Sequence, residues 1–289
     1  MGLVTPPLTD PEASGRSLCS MDQDWAELPE ELFLMVLDHL SRASWAGNAH
    51  QVRGVCERWA RIHDSTRKEL HVTSHKKLDA ALQTRLLISM CSKMPALTSL
   101  KLEYCDVTDQ ALRAVCELPA LTDLQLSGCI EVTDEGLACV GAVSTLTSLL
   151  LSYLPKVTSQ GLHALASLPP TLTKLSLREL DSVTEEVLRD TVARLTGLTH
   201  LDLNSCTNVT EKGILTLRTL TSLTLLQLDF CFESFESWIE EGSDDEDVRI
   251  WEQSESVQRA EEQLCQAIPG LQICREQEME CLYEYLYDD

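Results

Sequence analysis

Twelve cysteines and seven histidines are the residues of this chain best suited to chemistry, and their spacing argues against most of it. No two cysteines form a CxxC pair, and no cluster of His, Cys, Asp or Glu has the close spacing of a zinc site. The histidines are scattered, His163 and His200 among them. GxSxG, HExxH, GxxxxGK[ST] and a strand-following GxGxxG are all missing. A thiol is a nucleophile only as the thiolate. Cys105, Cys129, Cys206 and Cys231 recur at positions that suit burial rather than activation. The expectation is a chain with no catalytic set, no metal and no cofactor, its thiols reduced.

Those four cysteines close copies of one phrase: LTSLKLEYC, LTDLQLSGC, LTSLLLSYL, LTKLSLREL, LTHLDLNSC and LTLLQLDFC. The copies begin at Leu97, Leu121, Leu146, Leu172, Leu198 and Leu223, in steps of 24, 25, 26, 26 and 25 residues. Between them stands a second phrase, VTDQAL, VTDEGL, VTSQGL, VTEEVL and VTEKGI. A period in this range marks a solenoid. Side chains alternate along a strand, so the fourth and sixth residues of each phrase, such as Leu124 and Leu126, point inward. The Thr of each VT pair suits a helix N-cap. Asp109, Asp134, Glu185 and Glu211 follow it, where the helix dipole favours negative charge. Pro119 and Pro169 precede the next strand, where a helix must already have ended. One strand-and-helix unit cannot bury its leucines alone, but stacked units bury them together.

The phrases resemble leucine-rich repeats of the cysteine-containing type, with Leu154 and Leu180 replacing the closing cysteine in two copies. The resemblance implies an α/β leucine-rich-repeat solenoid with parallel strands on the concave face and helices on the convex face. Outward strand positions then form a recognition surface. Its candidate partner-binding residues are Lys101, Glu103, Gln125, Tyr153, Lys174, Arg178, His200, Asp202 and Asn204, with Tyr104 beside them. ELHV at Glu69–Val72 reads as an edge strand, and Leu78 to Met94 as the first helix. Ser254 to Ile268 reads as the last helix, followed by a strand carrying Leu271 and Ile273.

Ahead of the repeats, Pro29 sits in the first turn of an apolar-faced helix, with Glu30 and Glu31 at its positive end. Val52, Val55, Cys56 and Trp59 form a second helical stripe. Trp25, Leu28-Pro29, the helix that follows and Val55-Cys56-x-Arg58-Trp59 resemble an F-box. That family docks on the small adaptor of Skp–cullin–F-box ubiquitin ligases. Segment Ser41 to Gln51 departs from it by lacking the usual apolar helix. The resemblance implies a Skp-family adaptor as partner, contacted by Trp25, Leu28, Pro29, Leu32, Val36, Val55 and Trp59. Taken by periodicity alone, residues 24–64 read equally well as a helical cap on the first repeat.

The expected organisation is a disordered tail at 1–22 and a small all-α F-box-like module at 23–66. The solenoid follows at 67–275 with an acidic insertion at 233–252, and an acidic tail at 276–289 ends the chain. Net charge is −23. Residues 232–289 hold 18 acidic and 3 basic residues, so 15 of those net charges lie there. Nucleic acid is excluded as a partner, because phosphate binding needs basic stripes. No apolar run reaches the 18 or so residues that span a bilayer. The N-terminus lacks the apolar core of a secretory signal. The expected setting is therefore cytoplasmic, nuclear or both. Ser243 precedes DDED, which suits an acid-directed kinase or simply a solubilising loop. The tail either caps the last strand or reaches back toward Lys101, Lys174 and Arg178. Two functions stay open: substrate receptor of a Skp–cullin–F-box ligase, and a leucine-rich scaffold with a helical cap and no ligase link.

Overall fold

The computed structural model describes residues 57–73, 80–228 and 255–274. The chain divides into two units, Met1–Arg67 and Lys68–Asp289. In the first unit, helix α1 covers Glu57–Thr66. Its last turn is tied by the Ser65 and Thr66 hydroxyls, which donate to the Ile62 carbonyl at 3.0 and 2.9 Å. Trp59 lies in this helix. The expected docking residues Trp25, Leu28, Pro29, Leu32, Val36 and Val55 lie outside the described residues, as do the 1–22 tail, the 233–252 insertion and the 276–289 tail.

The second unit alternates strand and helix. Its strands are β1 Glu69–Thr73, β2 Ser99–Glu103, β3 Asp123–Ser127, β4 Ser148–Ser152, β5 Lys174–Ser176, β6 His200–Asp202, β7 Leu225–Gln227 and β8 Gln272–Cys274. The helices are α2 Ala80–Lys93, α3 Asp109–Cys116, α4 Asp134–Val140, α5 Ser159–His163, α6 Glu185–Asp190, α7 Glu211–Thr216 and α8 Glu255–Ala267. These eight strands form one parallel sheet in simple chain order. Each helix returns the chain by one strand position, which is the leucine-rich-repeat solenoid that the repeated phrases imply.

Register explains why the repeats must be matched. Leu100, Leu124, Leu149, Leu175, Leu201 and Leu226 stand opposite one another from β2 to β7. All six are at most 2% exposed. Further columns stack behind them, Leu97 to Leu223 before the strands and Val107 to Val209 ahead of the helices, in one continuous core. Burying a leucine stabilises by roughly 1.5–3 kcal/mol. A one-residue slip would turn a whole row to solvent.

The second residue of every phrase, whose role the phrase alone does not explain, makes a column of its own. The hydroxyls of Thr147, Thr173, Thr199 and Thr224 donate to the carbonyls of Thr122, Thr147, Thr173 and Thr199, at 3.0 to 3.2 Å. Each such carbonyl also accepts two backbone amides from the next repeat, as Thr147 does from Thr173 and Lys174 at 2.8 and 3.1 Å. These bonds hold the start of each strand to its neighbour.

The VT threonines are N-caps as expected. Thr133, Thr158, Thr184 and Thr210 accept from the backbone amides of Glu135, Gln160, Val187 and Gly213. Thr108 caps by backbone conformation only, its hydroxyl being shared with Thr84 at 3.1 Å. The aspartates after them do more than face the dipole. Asp109 accepts from the Thr133 amide and hydroxyl at 2.9 and 2.7 Å, and Asp134 accepts from the Thr158 amide and hydroxyl at 2.8 and 2.6 Å.

From the fifth strand on the repeat tightens. Strands shorten to three residues, and α5, α6 and α7 run on into single turns of tighter helix at Ala164–Ser167, Val192–Arg194 and Leu217–Thr219. At β6 the cause is local. The Asp202 carboxylate takes the Asn204 amide at 2.9 Å, a side-chain turn that replaces the next rung of the ladder.

Candidate protein-interaction surface

The open face of the sheet, opposite the helices, carries three rows of outward positions. The first runs Glu69, Ser99, Asp123, Ser148, Lys174, His200, Leu225, and the second His71, Lys101, Gln125, Leu150, Ser176, Asp202, Gln227. Thr73, Glu103, Ser127 and Ser152 begin the third. Alternation thus brings Lys101, Glu103, Gln125, Lys174, His200 and Asp202 onto one face. Tyr153, Arg178 and Asn204 follow the strand ends at its margin.

The two halves of this face differ. Toward β1, His71 Nε2 lies 3.2 Å from Glu103 Oε1, and Lys101 is half-buried. Toward β7 there is a depression of about 310 Å³, counting the space that opens to solvent. Leu150, Lys174, Ser176, His200, Asp202, Leu225 and Gln227 line it. Asp202 and Asn204 depart from the expectation of solvent-facing positions, being 5% and 0% exposed. The Asp202 carboxylate is occupied internally. Ser176 Oγ donates to its Oδ2 at 2.9 Å, while its other oxygen holds the Asn204 amide. Asp202 therefore shapes the floor, and Lys174 and His200 are the residues there that a ligand meets.

The state of His200 follows from its neighbours. The single hydroxyl proton of Thr199 goes to the Thr173 carbonyl at 3.0 Å. The Thr199 oxygen then accepts from His200 Nδ1 at 2.8 Å, which assigns the proton to Nδ1 and leaves Nε2 as an acceptor. Burial, and then the Lys174 ammonium, lower the pKa of this imidazole from its ordinary value, so it is neutral at pH 7. Ser176, Asp202 and His200 share the depression but not a catalytic order, because Ser176 donates to Asp202 while His200 turns to Thr199. The acceptor at the Ser176 oxygen is the Asp202 carboxylate, whose other oxygen holds the Asn204 amide, and the imidazole is not in line with either. What the depression offers is a cation beside a neutral acceptor, flanked by Leu150 and Leu225. Thr199 was not among the sequence candidates; its only signal is the recurring Thr of the LT phrase.

Three thiols at the phrase ends join neighbouring repeats. Cys105, Cys129 and Cys206 are buried, and their Sγ atoms donate to the carbonyls of Val72, Leu102 and Leu177 in the preceding repeat, at 3.4, 3.6 and 2.9 Å. Burial pushes Cys129 and Cys206 up to about 12. Among the described residues, no helix is long and apolar enough to cross a membrane.

The margin where strands end has one recurring conformation. Tyr104, Gly128, Tyr153, Glu179 and Ser205 have φ of 52, 64, 50, 57 and 58°, the left-handed region. The amides of the first four still donate across to the next repeat. The left-handed residue turns the following Cys or Leu into the core. Gly128 adopts this without strain, and the two tyrosines do not.

A family model described as "Leucine Rich repeat" matches residues 93–116. Among solved structures, the chain is similar to the complex of Rad7 and Elc1 in yeast, at 16% identity and a TM-score of 0.27. The match covers 76% of this chain and 87% of that one. It is also similar to the leucine-rich repeat domain of the type III effector XopL. That identity is again 16%, with a TM-score of 0.30, covering 76% of this chain and 90% of that one. No curated protein matches the chain. By its own sheet and repeats the chain is a leucine-rich-repeat solenoid in fold.

Proposed function

We propose that this chain is the substrate-recognition subunit of a Skp–cullin–F-box ubiquitin ligase, docking a Skp-family adaptor through residues 24–64 and a target protein through the open face of its solenoid. The observation that carries the reading is a spelling in a place. Leu28-Pro29 and Val55-Cys56-x-Arg58-Trp59 stand immediately before a solenoid whose first strand begins at Glu69. Trp25, Leu28, Pro29, Leu32, Val36, Val55 and Trp59 are the proposed adaptor contacts. Lys101, Glu103, Gln125, Tyr153, Lys174, Arg178 and His200 are the proposed target contacts, with Asp202 and Asn204 holding the floor beneath.

The mechanism is proximity. A target held on the sheet places its lysines near a ubiquitin-charged enzyme bound elsewhere in the complex. The gain is effective concentration and orientation, with no catalytic residue supplied by this chain. The cytoplasm, the nucleus or both are the proposed setting. Co-expression of the full chain with a Skp-family adaptor tests the reading. A stable complex that the double substitution Leu28→Ala with Pro29→Ala weakens at least tenfold supports it. If no complex forms, or one forms that is indifferent to the substitution, the chain is a scaffold with a helical cap.

A further inference from the structure

Five large apolar side chains are exposed among the described residues, and three of them follow strand ends in successive repeats. Tyr104, Ile130 and Tyr153 are 62%, 41% and 53% exposed and follow strands β2, β3 and β4 in successive repeats. Neighbouring exposed apolar side chains mark interaction sites more often than singly scattered ones do. Both tyrosines also hold the left-handed backbone, at φ 52° and 50°, which a bulky residue adopts only with strain. Gly128 fills the same position between them, and a Cβ added there would come within 2.6 Å of Tyr104 Cδ1. The Tyr104 ring therefore lies across Gly128, with the Tyr153 ring one strand further on.

The charge around this ledge is negative. Glu103 and Asp106 adjoin Tyr104, and Glu131 adjoins Ile130. Glu131 is bridged to Lys156 at 2.7 Å and Glu103 lies beside His71, so each already faces a cationic or protonatable group that an arginine would join or replace. Exposed phenol rings set among carboxylates suit a planar cation that can stack on a ring and pair with a carboxylate in one move. Guanidinium does both, whereas an ammonium does only the second well.

We infer that Tyr104, Ile130 and Tyr153 form a docking ledge for an arginine-bearing segment of a partner protein, with the arginines stacked on the two rings. This ledge borders the open face and uses none of the residues proposed for adaptor docking, so it holds whether or not the ligase reading does.

The test must separate stacking from the general attraction of an acidic protein for any cation. Three labelled twelve-residue peptides serve as probes: alternating Arg-Gly, Lys-Gly of equal charge, and Glu-Gly. The protein is the full chain and its Tyr104→Gly, Tyr153→Gly double variant. Glycine fits the left-handed backbone, so the variant should melt no lower than the parent. The parent should bind the Arg-Gly peptide about fivefold or more tightly than the Lys-Gly peptide. The double variant should bind the two alike, and neither protein should bind the Glu-Gly peptide. Equal binding of the Arg-Gly and Lys-Gly peptides by the parent would overturn the inference. So would an arginine preference that survives in the double variant. A Tyr104→Phe, Tyr153→Phe variant, which keeps both rings, should retain the preference; its loss there would overturn stacking as the cause.

Discussion

Gly161→Ala is expected to destabilise this protein, against the usual sign for a glycine in a helix. Alanine gains about 1 kcal/mol over glycine in a helix interior. Here the added Cβ would sit inside contact distance of Asp134 Oδ1, and 2.8 and 3.0 Å from its Cγ and Cα. The carboxylate must then leave its place, which costs the Thr158 amide and hydroxyl their acceptor at 2.8 and 2.6 Å. A hydrogen bond to a charged group contributes roughly 1.5–3 kcal/mol, and the lower end applies to a pair open to solvent. Two such losses outweigh the helix gain and leave a net cost of about 1–2 kcal/mol. The chain contains its own control. Val187 occupies the matching position in the next repeat, and there the preceding repeat carries Ser159 instead of an aspartate. Gly161→Ala in an Asp134→Ser background should therefore be neutral or stabilising. Urea unfolding of the four proteins of this double-mutant cycle measures the coupling. An equal loss in both backgrounds would place the clash on the backbone and refute the reasoning, as would a stabilised single variant.

Other expectations follow from the same contacts. Thr173→Val removes a 3.1 Å hydroxyl bond to the Thr147 carbonyl, which keeps two backbone amides; urea unfolding should show a loss of no more than about 1 kcal/mol. Cys129 and Cys206 are raised to about 12 from an ordinary value of 9.0, so the unfolded chain loses these protons first as pH rises. Stability should then fall between about pH 9 and 12, by up to ~1.4 kcal/mol per pH unit for each thiol. Replacing both with alanine should flatten that slope. His200 should titrate below 6.5 by NMR, because burial and then Lys174 disfavour its cation. Its contribution to stability is complete above the unfolded value and lost as pH falls through the folded one. Lys174→Met should raise its midpoint without restoring the ordinary value.

Leu124 and Leu126, the N-capping threonines and the strand at Glu69 could all be read from the sequence, because each depends on alternation or capping within one repeat. So could the last helix and strand, where Ser254 to Ile268 is observed as Glu255–Ala267 and Ile273 lies in β8. Contacts between repeats were not legible. The Thr147 and Thr173 hydroxyl bonds join residues 25 and 26 apart, and only stacked repeats bring them into reach. The aspartate-to-glycine coupling of Asp134 with Gly161 is hidden for the same reason. Asp202 and Asn204 alternate like solvent-facing residues, yet side-chain hydrogen bonds draw them into the floor, and polarity alone does not reveal that. Nor does the letter Tyr at position 104 disclose a left-handed backbone; the glycine at the matching position 128 is its only hint.

Two separable surfaces are the core of the proposal, and a crossed capture experiment on the full chain tests them most directly. One variant carries Leu28→Ala with Pro29→Ala, the other Lys174→Glu with His200→Ala. Quantitative mass spectrometry of co-purified proteins should show the first losing the Skp-family adaptor while keeping its other partners. The second should lose those partners and keep the adaptor. Joint loss in both variants, or adaptor binding untouched by the first, would contradict the division of the chain into an adaptor anchor and a recognition face.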